Sequence, residues 1–360
     1  MADHEHWMRR CLALARLGAG GAAPNPMVGA VLVRGDKVLA EGWHKDAGGP
    51  HAEVECLRAF GGNPVPDDAL LYVNLEPCSH HGKTPPCADL LIERGLKHVV
   101  VAHRDPFPLV SGRGIERLRT AGIEVVAGIL DEEARWMNRR FLTSVEHGRP
   151  YIILKWAQSS DGFLDRHPRD GREVQRISVP DTDVLVHLWR SEEQAILVGS
   201  RTVVNDDPQL TVRHVDGRSP LRVVIDRENR TRVGSNVFDG SAPTLLITTN
   251  PREDVRAEQH VIGMIDDPID ALLQELDRRQ VRSILVEGGA ELLRHFIQRG
   301  LWDEARVITG APIFHNGTPA PVIEGPPARA QDITTDRVAL FIRAGSAFDG
   351  ACATDATIDW

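Results

Sequence analysis

Short apolar runs alternate with amphipathic stretches that end at glycine along the first 145 residues of the chain. The runs "ALLYVNLE", "HVVVAH" and "IEVVAGIL" have the length and composition of buried strands. Stretches such as "HWMRRCLALARLG", "HAEVECLRAFG" and "CADLLIERG" have helical periodicity. Because strands that alternate with helices form layered sheets with mostly parallel strands, the pattern predicts an α/β/α sandwich, with "VGAVLVRGDKVLAEG" as a hairpin at its start.

A second α/β region follows the first. The stretch "DEEARWMNRRFLTSVEHG" predicts one helix, after which "RPYIILKWAQSSDG" starts a fresh strand. "EQAILVGSRTVVNDDP" and "SILVEGGAELLRHFIQRG" repeat the alternation, and "RVALFIRAGSAFDGACATDATIDW" predicts a final hairpin. Because 360 residues exceed one ordinary core, we expect two α/β domains, residues 1–147 and 148–360.

Charge and cysteine content narrow the class of protein. A net charge of -9 argues against nucleic acid or an anionic membrane surface as the partner. The first residues have only short apolar runs between charges, which predicts neither a signal peptide nor a membrane span. Five cysteines are too few for a disulfide framework. We therefore expect a cytoplasmic protein, in which a cysteine pair more often binds metal or does chemistry.

One group of residues has the composition of a catalytic zinc site. His51 and Glu53 form an H-x-E pattern at a predicted helix start, and Cys78 and Cys87 follow a strand. Zinc takes nitrogen and sulfur ligands, and a catalytic site keeps its fourth position for water, so one histidine and two thiolates suffice. Glu53 remains free to move a proton from that water to a leaving amine. Each cysteine follows a proline, so both are expected to open helices, where the dipole favours thiolate.

Other interpretations of this group are open. An H-x-E pattern alone is common, two loop cysteines can lie near a histidine by accident, and a structural zinc site would not need the glutamate. The spacing also departs from the P-C-x-x-C of cytidine-type deaminases, because eight residues, "SHHGKTPP", separate the cysteines. This longer insert can offer His80, Lys83 and Thr84 to a substrate. Burial is enough to explain the remaining cysteines, Cys11, Cys56 and Cys352.

A glycine pair indicates a second site. In "VEGGAELL" a strand runs into a helix through Gly288 and Gly289. Backbone amides there can approach a pyrophosphate closely, and the helix N-terminus favours its charge. Such turns are common, and the chain contains no G-x-G-x-x-G, so a Rossmann domain is not predicted.

The segments around these residues resemble a known family. "PNPMVGAVLV", "GWHKDAGGPHAEVECL", "YVNLEPCSHHGKTPPCADLLIERG" and "DPFPLVSGRGIERLRTAGIEV" closely resemble the deaminase half of the bifunctional riboflavin-pathway deaminase/reductases. "LKWAQSSDG", "LVGSRTVVNDDPQLTVR", "VVIDRENR" and "LVEGGAELL" resemble the reductase half. The likeness runs over nearly the whole chain, and the Cys-x8-Cys insert is highly specific.

The resemblance implies two consecutive reactions. The deaminase half removes the 2-amino group of a diaminopyrimidinone ribosylamino 5′-phosphate, and the reductase half then reduces the ribosyl to a ribityl chain with NADPH. It implies one Zn²⁺ per chain, and it makes Glu53 the residue that transfers protons. The implied zinc ligands are His51, Cys78 and Cys87. The implied pocket for pyrimidine and phosphate is lined by Asn25, His44, His80, Lys83, Thr84 and Asp105.

For the second half the resemblance implies a dihydrofolate-reductase-like domain. Carried over by position, the cofactor-facing residues are Ala157, Thr202, Asp206, Arg227, Gly288, Gly289, Ala290, Glu291 and Leu292. The substrate-facing residues are Arg190, Leu210, Arg213 and Glu287. A preference for NADPH over NADH is expected from the guanidinium groups of Arg201, Arg227 and Arg230. The family usually associates through this domain, which implies a homodimer or homotetramer.

Four positions depart from the family pattern. Val174 and Arg176 stand where the reductase half usually has serine and tryptophan, which predicts weaker or altered reduction. Arg227 replaces a common serine, and Phe107 replaces the asparagine of "DPNP", which removes a hydrogen-bonding group. Three hypotheses follow: a bifunctional riboflavin enzyme, a paralogue in a specialised pathway such as that of a pyrimidinotriazine, or a deaminase whose second domain is a non-catalytic binding module.

Overall fold

The computed structural model describes residues 3–79, 85–107, 110–168 and 175–349. The chain divides into two compact units, Met1–Gly148 and Arg149–Trp360, which we call unit 1 and unit 2. Within the described ranges, no helix is long and apolar enough to cross a membrane.

Unit 1 has a hydrophobic core on each face of its sheet. Its elements are α1 (His4–Arg16), β1 (Gly29–Arg34), β2 (Lys37–Trp43), α2 (Ala52–Phe60), β3 (Leu70–Leu75), α3 (Cys87–Glu93), β4 (His98–His103), α4 (Arg113–Thr120), β5 (Glu124–Ala127), α5 (Asp131–Met137) and α6 (Arg139–His147). On β1, Ala30 and Leu32 join the core beneath α2, α3 and α4, whereas Val31 and Val33 join the core beneath α1 and α5. The predicted α/β sandwich is confirmed.

The sheet of unit 1 brings two loops to one edge. Among the described residues the strand order is β2-β1-β3-β4-β5, with β1 antiparallel to β2 and β3, and with β3, β4 and β5 parallel. The carboxyl ends of β3 and β4 therefore meet, and the chain leaves them through Glu76 and Arg104 respectively. Ligands bind at this edge in parallel sheets, and here it carries Cys78 and Asp105.

Unit 2 is built around a larger, mostly parallel sheet. Its elements are β6 (Tyr151–Gln158), α7 (Pro180–Glu192), β7 (Ala195–Gly199), α8 (Ser200–Asp206), β8 (Leu221–Ile225), β9 (Thr244–Thr248), β10 (Glu258–Val261), α9 (Pro268–Arg278), β11 (Ser283–Val286), α10 (Ala290–Gln298), β12 (Glu304–Thr309), β13 (Arg329–Ile333) and β14 (Asp336–Ile342). In the described part of the chain the strand order is β10-β9-β8-β7-β11-β6-β12-β14-β13, and only β14 and β13 run antiparallel to their neighbours.

The single helix predicted over residues 131–147 is wrong, because the chain breaks at Asn138. Its side-chain oxygen accepts the N–H of Met27 at 2.8 Å, and its side-chain nitrogen donates to the Met27 carbonyl at 3.0 Å. Asn138 thus contacts a residue 111 positions earlier in the chain, and its backbone is not helical, with φ −96° and ψ 17°. The predicted helix is therefore divided into α5 and α6.

The predicted C-terminal hairpin is also wrong in its position. The run "DRVALFI" forms β14, but its hairpin partner is β13, which precedes it, and its other edge pairs with β12. Both edges of the strand are therefore occupied. Residues 343–349, the last that the structure describes, contain no further strand.

Candidate functional site

The zinc pattern begins at the N-terminus of α2. His51 is the residue before the helix, its backbone is extended, and its side chain makes no capping hydrogen bond. Glu53 lies in the first turn of the same helix. The helix therefore starts with both polar side chains of the H-x-E pattern at one end, and the imidazole is not used to cap it.

The two cysteines meet at the start of α3. Cys87 is the first residue of the helix, as predicted, and its backbone N–H donates to Sγ of Cys78 at 3.2 Å. The N–H of Ala88 donates to the Cys78 carbonyl at 3.1 Å. The prediction that Cys78 also opens a helix is wrong. It lies in the loop after β3, where its sulfur and carbonyl accept the first N–H groups of α3.

The spacing of the three side chains fits zinc. Nδ1 of His51 lies 3.6 Å from Sγ of Cys78 and 3.3 Å from Sγ of Cys87. All three ligand atoms lie within 4.8 Å of one another. With Zn–S and Zn–N bonds of about 2.3 and 2.0 Å, a tetrahedral zinc separates its nitrogen and sulfur ligands by about 3.5 Å. One imidazole nitrogen and two thiol sulfurs at this spacing match that requirement.

The hydrogen bonds within the cluster favour the ligating form of one cysteine. Hydrogen bonding to Cys87, followed by that to His51, lowers the pKa of the Cys78 thiol to about 4. The same contact with Cys78 raises the pKa of His51 to about 8. Interaction with Cys78 and burial raise the pKa of Cys87. These contacts thus favour the thiolate form of Cys78, and the thiolate is the form that binds metal.

Glu53 is a buried acid beside the ligands. Only 3% of its surface is exposed. Burial, with a smaller contribution from Cys78, raises the pKa of its carboxyl. An acid whose pKa is moved towards the working pH can accept a proton and return it. Glu53 therefore has the property that a general acid–base residue needs.

Two predicted substrate residues, Asn25 and His44, are hydrogen-bonded to each other beside His51. The rings of His44 and His51 meet edge to face, with centroids 5.5 Å apart. Nδ1 of His44 lies 2.9 Å from the Pro50 carbonyl, and Nε2 lies 3.1 Å from the side-chain nitrogen of Asn25. The carbonyl can only accept, so these partners assign the proton to Nδ1. Burial lowers the pKa of His44, and the neutral ring therefore holds the Asn25 amide in one orientation.

Asp105 is tied to the cysteine loop through Glu76. Burial raises the pKa of the Asp105 carboxyl to about 6, and one of its oxygens accepts the N–H of Phe107 at 2.8 Å. The backbone N–H of Asp105 donates to the Glu76 carboxylate at 3.2 Å. Three further residues predicted for this pocket lie outside the described residues: His80, Lys83 and Thr84.

In unit 2 the glycine pair lies where β11 leads into α10. A Cβ at Gly288 would lie 3.1 Å from Cα of Val198 and from the backbone nitrogen of Gly199, so a side chain there would push the ends of β7 and β11 apart. The N–H of Gly289 donates to Oγ1 of Thr202 at 3.0 Å. The N-terminus of α10 follows the glycine pair directly, and the backbone N–H groups of its first turn are of the kind that can bind the phosphates of NADPH.

Other predicted cofactor residues lie on the elements around the glycine pair. Ala290, Glu291 and Leu292 form the first turn of α10. Asp206 ends α8 one turn after Thr202, and Ala157 lies on β6, the strand next to β11. The predicted cofactor residues around β7, β11 and β6 are therefore on neighbouring elements.

The three arginines predicted to bind the extra phosphate have partners within unit 2. Arg201 and Arg230 pair with glutamates at 2.7 and 2.5 Å, and all four side chains are exposed. Arg227 donates to the carbonyl of Met264. Exposed pairs of this kind contribute little to stability, so a phosphate can displace them.

Two of the predicted substrate residues of unit 2, Arg190 and Glu287, contact each other directly. Arg190 donates to Glu287 through two N–H groups, at 2.8 and 2.7 Å, and Nζ of Lys155 lies 3.7 Å from the same carboxylate. Burial opposes ionisation of Glu287, but Arg190 and Lys155 outweigh it and lower its pKa to about 2. Burial lowers the pKa of Lys155. Arg190 thus holds Glu287 in place with a planar, bidentate contact.

Arg213 and Leu210 lie on the loop after α8 and differ in what they can contact. The backbone N–H of Arg213 donates to Nδ1 of His187 at 3.0 Å, and its guanidinium donates to Thr211 at 3.1 Å. Burial, then the nearby arginines, lower the pKa of His187 to about 4. Leu210 is buried in an apolar cluster, so only its backbone can face a ligand.

Family models match both units. Residues 1–103 match the cytidine and deoxycytidylate deaminase zinc-binding region, and residues 150–337 match the RibD C-terminal domain. The riboflavin biosynthesis protein RibD of Aquifex aeolicus is 40% identical over 321 residues, which cover 87% of this chain and 88% of the relative. The chain belongs to the RibD family.

Solved RibD structures are similar to nearly the whole length of the chain. The deaminase/reductase of Thermotoga maritima has a TM-score of 0.83 and 35% identity, covering 94% of this chain and 97% of that one. RibD of Acinetobacter baumannii has a TM-score of 0.85 and 34% identity, covering 94% and 98%. The resemblance seen in the sequence is confirmed. The chain is a bifunctional riboflavin-biosynthesis enzyme that uses zinc for deamination and NADPH for reduction, and neither alternative hypothesis gains support.

Two of the departures from the RibD pattern have local partners. Arg176 pairs with Asp183 at 2.6 Å near the start of α7. The Phe107 carbonyl accepts the N–H groups of Val110 and Ser111. Any residue can make these backbone contacts, so they do not replace the hydrogen-bonding side chain of the family's asparagine. Val174 lies outside the described residues.

Lys155 and Glu76 were missed as members of these RibD sites. A signal for each existed, because Lys155 interrupts the apolar run "YIILKWA" and Glu76 ends the apolar run "YVNLE". A charge in a strand that is otherwise buried requires a partner, and this requirement indicates a site.

Proposed function

We propose that unit 1 deaminates a diaminohydroxyphosphoribosylaminopyrimidine and that unit 2 reduces the resulting phosphoribosylaminouracil. The Thermotoga maritima relative is named for these two activities. The observation that carries the proposal is the convergence of His51, Cys78 and Cys87 within 4.8 Å, next to the buried Glu53. We assign residues 1–147 to deamination and residues 148–360 to reduction.

In unit 1, His51, Cys78 and Cys87 hold Zn²⁺, which when bound activates water as a nucleophile. Glu53 accepts a proton as the water attacks the carbon that carries the amine, and it returns the proton to the departing nitrogen. Water is consumed and ammonia leaves, so the carboxyl is restored after each turnover. Asn25, oriented by His44, is placed to bind the pyrimidine.

In unit 2, NADPH when bound supplies the hydride that reduces the ribosyl group. The backbone N–H groups in the first turn of α10 bind its phosphates, and the contact between Gly289 and Thr202 holds the turn before that helix in place. Lys155, whose pKa is lowered by burial, donates the proton that accompanies the hydride, and Glu287 holds its ammonium in place. Arg213 offers a charged group to the substrate phosphate.

The test uses the full-length protein with the diaminopyrimidine phosphate, with and without NADPH, and resolves the products by mass. We expect the uracil without NADPH and the ribityl product only with it. Glu53→Gln should keep its zinc and lose about 10²–10⁴-fold in deamination, because it keeps the shape but removes the proton acceptor. The same variant should still reduce added uracil intermediate. Unchanged substrate would contradict the proposal, and deamination without reduction would support the non-catalytic module.

The assembly and the location of the protein follow from its family and its charge. We propose a homodimer or homotetramer that works in the cytoplasm on a small molecule, without nucleic acid or membrane. The net charge of -9 supports a partner other than nucleic acid or an anionic membrane, and the buried cysteines outside the zinc site that the structure describes, Cys11 and Cys56, form no disulfide, which supports the location. Light scattering of the purified protein measures the oligomer, and a monomeric mass would contradict that part.

A further inference from the structure

The residue that ends the "YVNLE" run, Glu76, makes more backbone contacts than the end of a strand requires. It follows β3, its own N–H donates to the His103 carbonyl at 2.9 Å, and only 3% of its surface is exposed. Within the described residues its carboxylate accepts N–H groups from two stretches of chain. These groups belong to Asp105 at 3.2 Å, Gly112 at 2.9 Å, Gly114 at 2.9 Å and Ile115 at 3.1 Å.

The two oxygens of Glu76 serve different partners. Oε1 accepts from Gly114 and Ile115, which lie in the first turn of α4 and would otherwise be helix N–H groups without a partner. Oε2 accepts from Asp105 and Gly112, which lie near the two ends of the segment between β4 and α4. One carboxylate therefore fixes both the loop that carries Asp105 and the helix that follows it.

Helix α4 also contacts the loop after β3, which carries the zinc ligand Cys78. A Cβ at Gly114 would lie 2.0 Å from the carbonyl oxygen of Pro77, so α4 contacts the backbone of the residue that precedes Cys78. Glu76 itself is two residues from Cys78. The zinc-ligand loop after β3 and the Asp105 loop after β4 are thus joined at this one side chain.

We propose that Glu76 is a positioning residue for deamination, which sets the zinc-ligand loop relative to the Asp105 loop. The inference rests on the proposed deaminase site in unit 1. A carboxylate buried at such a place is costly unless its oxygens are filled, and four N–H donors fill them here. Glu76 does not touch the reacting atoms, so its effect on rate comes through the placement of the two loops.

Glu76→Gln is the informative variant. Glutamine has one acceptor oxygen, and its amide nitrogen must face two N–H donors. Either the pair at Gly114 and Ile115 or the pair at Asp105 and Gly112 loses its acceptor. We expect kcat for deamination to fall by about 10²-fold, because displacement of catalytic groups by about 1 Å costs that much. Reduction of the uracil intermediate should be unchanged.

Three measurements separate positioning from mere support of the fold. Rates are taken where circular dichroism shows Glu76→Gln to be folded and metal analysis shows one zinc per chain. Hydrogen exchange then reports which pair of amides has become unprotected. Glu116→Gln, an exposed carboxylate on α4, is the matched control and should behave as wild type. A folded, zinc-loaded Glu76→Gln protein that deaminates at the wild-type rate overturns the proposal.

The proposal remains testable if Glu76→Gln does not fold. In the wild-type protein the amides of Gly112, Gly114 and Ile115 should then be protected from exchange, although first-turn amides normally exchange fast. Unprotected amides there overturn the inference. Hydrogen exchange is measured without substrate, so it does not depend on whether the protein deaminates. A wild-type protein that fails to deaminate refutes the proposed function, whereas unprotected amides refute the contacts of Glu76.

Discussion

Replacing Arg190 by methionine should destabilise unit 2 by about 3 kcal/mol. Together, Arg190 and Lys155 lower the pKa of Glu287 from its ordinary 4.5 to about 2. At about 1.4 kcal/mol per pKa unit, the two cations together favour the ionised carboxyl by about 3 kcal/mol beyond the cost of burial. Removing one partner of a buried pair costs about 3–5 kcal/mol, and the side chains of Arg190 and Glu287 are only 11% and 9% exposed. Because Lys155 remains in Arg190→Met, we expect a loss at the lower end of this range.

The stabilisation of unit 2 by the ion pair of Arg190 and Glu287 should decrease at acidic pH. The pKa of Glu287 is depressed in the folded state, so the stabilisation is fully present above pH 4.5 and is lost as the pH falls through about 2. Arg190→Met should therefore be destabilised at pH 7, and the difference from wild type should shrink at strongly acidic pH. The assay is hydrogen exchange of core amides on β7 and β11, with amides on β3 of unit 1 as the internal control.

A double-mutant cycle with Glu287→Gln isolates the pair. Arg190→Met leaves a buried carboxylate with Lys155 as its one remaining cationic partner among the described residues, whereas the double variant leaves a neutral amide. We expect a coupling free energy of about 2 kcal/mol or more. Additive effects of the two changes would refute the reasoning, because they would show that the bidentate contact does not exist in solution.

Three further changes test the other groups. Cys87→Ser should lose zinc by metal analysis because it removes one of three ligands, whereas Cys56→Ala should keep it, and full occupancy in Cys87→Ser would exclude that ligand. Thr202→Val removes the acceptor that fixes the Gly289 N–H, and with it the turn that presents the first amides of α10, so it should weaken NADPH binding about tenfold by calorimetry, with Thr120→Val in unit 1 as control; unchanged affinity would show that this contact does not position the cofactor site. Lys155→Met should bind NADPH normally yet reduce at least about 10²-fold more slowly, with Lys97→Met unaffected, and normal reduction would assign the proton to another group.

Much of unit 1 could be predicted from the sequence because its signals are local. The glycine-terminated helices, the hairpin at β1 and β2 and the apolar strands follow from patterns of four to twelve residues. The zinc pattern was also predictable, since His51 and Cys87 stand at helix starts that prolines and helical periodicity indicate.

What could not be predicted depends on contacts between distant residues. The break between α5 and α6 occurs at Asn138, which contacts Met27, 111 residues away. The helical periodicity of residues 131–147 does not indicate that contact. Arg190 and Glu287 were each predicted to face the substrate, but nothing in the sequence indicated that they contact each other across 97 residues. The position of the last hairpin likewise followed from which strands took the two edges of β14.

The central place of β6 in its sheet has a consequence for synthesis of the chain. β6 is the first strand of unit 2 to leave the ribosome, yet its neighbours are β11 and β12, near the end of the chain. At about 5–20 residues per second, the 124 residues between β6 and β11 (159–282) take about 6–25 s to make. During that time the apolar run "YIILKWA" has neither of its final partners, whereas every strand of unit 1 has already been made. Nascent unit 2 is therefore the half of the protein that most needs chaperones.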